Sequence, residues 1–122
     1  IGAIRAIPLN VSGAFHSPLM ESARKPLQKI INSVNFQETK TPIYQNILAK
    51  PVTDTKTIQN NILNQLEQPV LWRDTIENMI KDGITNFIEL GPGKVLTGLN
   101  RRINKEIITI NFDKIEDSHA VL

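Results

Sequence analysis

Four short tracts between residues 86 and 112 follow one another almost without spacers. A strand-like run, Phe87-Ile88-Glu89-Leu90, leads into the tight turn Gly91-Pro92-Gly93-Lys94. Val95, Leu99 and Ile103 then recur at helical spacing, and Ile107 to Phe112 forms a second β-branched run. Strands alternating with helices at this spacing point to an α/β fold with some parallel pairing.

The same alternation extends toward the N-terminus. Residues 3–11 are apolar and β-branched enough for a strand. Residues 12–16 lack a period, hold a glycine and read as a loop. Ser17-Pro18 signals a helix start, with Ser17 as N-cap and Pro18 in the first helical position. Leu19, Ala23, Leu27, Ile30 and Val34 give that helix one apolar face, and Pro26 inside it predicts a kink or a later start. Residues 42–47 read as a short strand and 53–57 as a polar turn. Ile58, Ile62 and Leu66 define a second helix that Pro69 ends. Trp72, Ile76, Met79 and Ile80 define a third, with Asp74 near its start and Gly83 at its C-terminal cap. The tail beyond Asp113 is unassigned.

Composition narrows the classes. At 122 residues and 40% hydrophobic content the chain has matter for one domain with a modest core. No apolar run is long enough for a membrane-spanning helix, and the N-terminus lacks the pattern of a signal peptide. It also lacks an initiator Met, so the chain reads as beginning inside something longer. Cysteine is absent, which removes disulfides and thiolate chemistry and suits a reducing compartment. A net charge of +2 with six aromatics is too weak and dispersed for a nucleic-acid surface. The 12 asparagines and 18 isoleucines suggest an A/T-rich genome; the expected location is cytoplasmic, or the plastid stroma if the genome is an organelle's.

Few residues are candidates for chemistry. His16 lies in a loop directly before a helix start, where a neutral imidazole could take a proton from a nucleophile and return it. His119 lies in the polar tail and is not a candidate. None of the serines, 12, 17, 22, 33 and 118, stands in a Gly-x-Ser-x-Gly elbow, so the chain offers a base without a nucleophile. The Gly91-Pro92-Gly93-Lys94 turn could expose backbone N–H groups to an anion, but Ile88 and Val95 break the Walker pattern and a plain turn is the simpler reading. Lys94, Arg101 and Lys105 share a predicted helix face, with Arg102 on its flank. Such a face could dock an acidic partner or simply be solvated. No metal-ligand spacing and no glycosidase-type carboxylate pair is present.

Three stretches together carry a resemblance. Residues 11–20, Val-Ser-Gly-Ala-Phe-His-Ser-Pro-Leu-Met, resemble the histidine segment of the malonyl-CoA:acyl carrier protein transacylases. Gln65-Leu66 with Pro69-Val70-x-Trp72 resembles that family's Gln-Leu…Pro-Val-x-Trp stretch. Residues 89–99, Glu-Leu-Gly-Pro-Gly-Lys-Val-Leu-Thr-Gly-Leu, are similar to its C-terminal signature. The three occur in the family's order and spacing.

The resemblance implies an α/β-hydrolase-like acyltransferase fold, with at most the final strand of a ferredoxin-like subdomain at the N-terminus. Residues 1–122 would be one C-terminal segment of an incomplete domain, the nucleophilic serine, the malonyl-binding arginine and an oxyanion-hole glutamine lying upstream. His16 matches the general base and acid of a Ser–His pair. Gln65 matches a position whose backbone carbonyl orients that histidine. The implied activity is malonyl transfer from coenzyme A to the acyl carrier protein thiol in fatty-acid synthesis, by a ping-pong route. Malonyl-CoA is then a substrate, no cofactor or metal is expected, and the partners are the acyl carrier protein and the N-terminal part of the enzyme, with no nucleic acid or membrane. The segment alone should be inactive. Two rivals stay open: a non-catalytic α/β interaction module, and a fragment of a polyketide-synthase acyltransferase domain.

Overall fold

The computed structural model describes Pro8 and residues 13–114. The strand expected over 3–11 (Pro8 apart), with its ferredoxin-like assignment, and the tail carrying His119 lie outside them. A short 3₁₀ helix over Pro18–Met20 leads into α1 (Glu21–Ser33). A two-stranded antiparallel hairpin, β1 (Ile43–Tyr44) and β2 (Pro51–Val52), follows, then α2 (Thr55–Asn64) and α3 (Trp72–Lys81). The described chain closes with β3 (Asn86–Leu90), α4 (Val95–Ile103) and β4 (Ile108–Phe112). β3 and β4 pair in parallel, Ile88 against Ile110 and Leu90 against Phe112, so the helix between them is the crossover. The expected α/β class with parallel pairing is what the structure shows.

Several boundaries move, each for a local reason. Ser17 does act as a cap, but of the 3₁₀ turn: its hydroxyl accepts from the Leu19 N–H and donates to Ala14 O. Pro26 sits inside α1 without delaying its start. The strand expected over 42–47 shrinks to two residues, because Leu48 and Ala49 both donate to Gln45 O and turn the chain back to form β2. The polar stretch 53–57 is not all turn. Asp54 accepts from the Thr57 N–H and caps α2, which therefore begins at Thr55. α2 then stops at Asn64, ahead of Pro69, leaving Leu66 in a turn. Gly83 follows the α3 cap with φ of 90°. Gly83 N–H donates to Ile80 O and Ile84 N–H to Met79 O, the paired bonds of a Schellman ending.

The buried faces differ more than the boundaries do. On α1 only Ile31 is fully buried, while Leu19, Ile30 and Val34 are exposed, so the apolar stripe expected there is mostly uncovered in this chain. On α4 the buried residues are Thr97 and Asn100, whereas Val95 and Leu99 face out. Polar side chains fill much of the interior. Gln45 donates to Ile58 O and accepts from Asn61, and the Trp72 indole donates to Asn100. These bonds supply the partners that buried polar atoms require. Ile76, 1% exposed, anchors α3 and contributes about 1.5–3 kcal/mol of burial.

The parallel pair has one covered face and one open face. Phe87, Glu89, Thr109 and Asn111 alternate with Ile88, Leu90, Ile108 and Ile110. Of the second set, Ile88, Leu90 and Ile108 are exposed, Leu90 at 77%. Parallel strands usually carry apolar residues on both faces because both are covered.

Candidate functional site

His16 occupies a tight turn with φ of 60°, the left-handed region that costs a non-glycine residue about 1 kcal/mol or more. Ala49 shares that conformation without any chemistry, so the strain alone marks nothing. What distinguishes His16 is its partners. Its backbone N–H donates to Leu66 O at 3.1 Å, and its ring Nδ1 lies 2.7 Å from Gln65 O. A carbonyl oxygen only accepts, so the contact places the proton on Nδ1 and leaves Nε2 as the basic nitrogen of the neutral ring.

The acceptors are there for a reason of helix chemistry. Gln65 is the C-terminal cap of α2, and the last carbonyls of a helix have no partner within it. The His16 side chain satisfies the cap carbonyl, and its main chain satisfies the carbonyl of Leu66 in the turn that follows. A cavity of about 280 Å³ lies beside the ring, lined by Phe15, His16, Leu27, Ile62, Gln65 and Leu66. His16 and Gln65, separated by 49 residues, are thus brought into contact. Among the described residues, no serine hydroxyl is hydrogen-bonded to the imidazole. Ser17, the nearest in sequence, gives its proton to Ala14 O.

The sequence reading missed the residues around this contact. Arg24 of α1 donates to Asn64 Oδ1 at 2.8 Å and to Glu67 Oε2 at 3.0 Å, on either side of Gln65 and Leu66. The two acceptors lie 40 and 43 residues further along the chain, beyond the reach of periodicity or local spacing.

The glycine turn is occupied from within. Glu89 of β3 accepts from the Leu96 N–H at 3.0 Å and the Thr97 N–H at 2.8 Å, so its own carboxylate fills the N-terminus of α4. Burial works against that charge. The hydrogen bonds from Thr97 and Leu96 outweigh it and hold the carboxyl below the ordinary glutamate range. An external anion would have to displace Glu89, which agrees with the plain-turn reading. Gly91 and Gly93, at φ of 124° and 89°, make the turn possible.

The expected basic face is only partly helical. Lys94 is the residue before α4, and Lys105 lies beyond its cap at Asn104. Lys94 and Arg101 line a cavity of about 400 Å³ with Thr97 and Thr109, while Arg102 lines another with Trp72 and Leu99. The hydroxyls of Thr97 and Thr109 are buried without a partner, too enclosed to meet a ligand there. Among the described residues, no cluster of His, Asp or Glu is placed to hold a metal ion, and no helix is long and apolar enough to cross a membrane.

No protein-family model matches the chain. Individual proteins do. A malonyl CoA-acyl carrier protein transacylase of Bacillus subtilis is 40% identical over 109 residues, 89% of this chain and 34% of the relative. The crystal structure of an acyl carrier protein S-malonyltransferase from Vibrio cholerae superimposes with a TM-score of 0.90 at 36% identity, covering 99% of this chain and 40% of that one. A malonyl-transacylase solved in complex with its type II polyketide synthase acyl-carrier protein matches with a TM-score of 0.87 at 31% identity, covering 99% and 39%. The chain therefore spans between a third and two-fifths of the proteins it matches. Over the stretch that it spans, this α/β chain is similar in sequence and in fold to the malonyl CoA-acyl carrier protein transacylases.

Proposed function

We propose that this chain supplies the histidine half of an enzyme that moves a malonyl group from coenzyme A to the thiol of an acyl carrier protein in fatty-acid synthesis. The observation that carries the reading is the 2.7 Å contact between His16 Nδ1 and Gln65 O. It fixes one tautomer and leaves Nε2 free to act as a base. A serine from a segment outside this chain would give its proton to Nε2 and attack the malonyl thioester. The tetrahedral intermediate would collapse to a serine ester, and the imidazolium would return the proton to the departing coenzyme A sulfur. In the second half-reaction Nε2 takes the proton of the carrier thiol, which attacks the ester, and the serine leaves with that proton. No resident cofactor is required, because the thioester is already an activated donor.

The role of Gln65 in this reading belongs to its main chain. The carbonyl stands where a triad carboxylate would, orienting the ring. Support for the carrier protein as partner comes from the matched malonyl-transacylase that was solved with one. Residues 1–122 would in this reading be one C-terminal segment of the enzyme, and the open apolar face of β3 and β4 supports packing of another part of the enzyme on that side.

The test uses the complete enzyme carrying this segment. His16→Ala should slow malonyl transfer by ~10²–10⁴-fold, the scale of a positioned base. Gln65→Ala should cost far less, because the carbonyl survives. This segment alone should transfer no radiolabelled malonyl group. Near-normal transfer by His16→Ala, or activity of the segment alone, would sink the proposal.

A further inference from the structure

Among the described residues, Arg24 is the one side chain that reaches from α1 to both ends of the short backbone stretch that holds His16. Its guanidinium donates to Asn64 Oδ1 at 2.8 Å and to Glu67 Oε2 at 3.0 Å. The two residues between, Gln65 and Leu66, present the carbonyls that receive the His16 ring and main chain. From these distances we infer that Arg24 is a positioning residue for the histidine, gripping the turn on either side of its two acceptors. The inference rests on the reading of His16 as the base.

Three features support a grip over an incidental surface pair. First, α2 has ended at Asn64, so the carbonyls of Gln65 and Leu66 are not aimed by a continuing helix. Something outside the helix has to set their direction. Second, the pair is partly enclosed: Arg24 and Glu67 side chains are 33% and 19% exposed, and Glu67 Oε1 is buried without a partner. The second Glu67 oxygen therefore carries the whole connection to Arg24. Third, the geometry closes a ring. Residues 16 and 24 are joined by the 3₁₀ turn and the first turn of α1, and residues 64 to 67 lie opposite them. Only a planar fork with several donors meets two acceptors at fixed directions, which is what a guanidinium offers and an ammonium does not.

In the reaction, the grip would leave thioester binding alone. Its effect would be on how often the imidazole is held with Nδ1–H on Gln65 O and Nε2 aimed outward. The expected signature is thus a fall in turnover without a matching change in KM.

Removing Arg24 alone would strand a partly buried carboxylate and could unfold the turn. The informative variant removes both charges, Arg24→Met with Glu67→Gln, alongside Arg24→Met. Two readouts apply to the complete enzyme carrying the double variant: ring-nitrogen NMR of His16, and steady-state transfer with malonyl-CoA and carrier protein. We expect a melting temperature near that of the unaltered enzyme. The ring should change from a single Nδ1–H tautomer to a mixture, and kcat should fall by roughly tenfold with KM within about twofold, the scale seen when an outer partner is removed. A folded double variant that keeps the single tautomer and its kcat overturns the inference. Loss of the single tautomer, with His16→Ala still transferring normally, would leave the grip standing and overturn the assignment of His16 as base.

Discussion

The Thr97 main-chain N–H donates a 2.8 Å hydrogen bond to the Glu89 carboxylate, joining the end of β3 to the start of α4 across the glycine turn. The Leu96 N–H makes the companion bond to the other oxygen. Two of the four partnerless N–H groups of α4 are thereby satisfied by a residue that precedes the helix in another element. This is why Lys94 can stand at the cap position without a capping side chain.

Glu89 should therefore make stability depend on pH. Its folded carboxyl is held below the ordinary range, so the unfolded chain takes up the proton first. The contribution is present above the unfolded value of about 4.3 and disappears as pH falls through the lower folded value. Urea unfolding of Glu89→Gln against the unaltered chain should show a lower midpoint at pH 7 and a gap that closes on acidification below about 4. A gap that stays constant with pH would show that the charge has no part in the cap.

Tyr44 gives a second titration with the opposite sign. Its hydroxyl donates to Asp82, and that hydrogen bond, with burial and the neighbouring negative charge, pushes its pKa up to about 12. The raised value stabilises the protonated form, so the contribution is full below the unfolded value near 10 and is lost between about 10 and 12. Tyr44 is the only tyrosine, which makes tyrosinate absorbance a clean probe. The folded chain should titrate near 12, and Asp82→Ala should bring the midpoint back toward 10. A midpoint near 10 in the unaltered folded chain would refute the link.

Gly83 offers a test of the ending of α3. Its φ of 90° lies where a side chain is strained, while a Cβ there would meet nothing within 4 Å. The cost of Gly83→Ala is thus conformational, about 1 kcal/mol or somewhat more. A drop in melting temperature of roughly 5 °C is expected for a chain of this size. An unchanged melting temperature would mean that the Schellman bonds reform around another backbone shape.

How far these relationships could be read from the sequence depended on their reach along the chain. The β3–turn–α4–β4 series was legible because its residues are neighbours and the glycines announce the turn. Gly83 was legible for the same reason. The hairpin partner β2 was not, since Pro51-Val52 is too short to carry a period. Nor was Asp54 as a cap, because the polar run around it resembles a turn. On α4 the hydrophobic pattern pointed to Val95 and Leu99, yet Thr97 and Asn100 are the buried residues, Asn100 accepting from the Trp72 indole and Thr97 keeping a buried hydroxyl without a partner. His16 was a candidate from its loop, and the resemblance supplied Gln65. Arg24, Asn64 and Glu67 gave no signal, because a clamp across some 40 residues has no local pattern.

The open sheet face leads to the last expectation. Ile88, Leu90 and Ile108 lie on one side of the parallel pair and are 48%, 77% and 57% exposed. If upstream chain covers that side in the complete enzyme, Leu90→Lys should act in opposite directions in two settings. In this segment alone the lysine interrupts an apolar patch and should reduce self-association, measured by light scattering across a concentration series. In the complete enzyme it would place an unpaired charge in a buried layer and destabilise by roughly 3 kcal/mol. Paired measurements on the same substitution separate the two accounts. A neutral effect in the complete enzyme would show that water, and not the rest of the protein, meets this face.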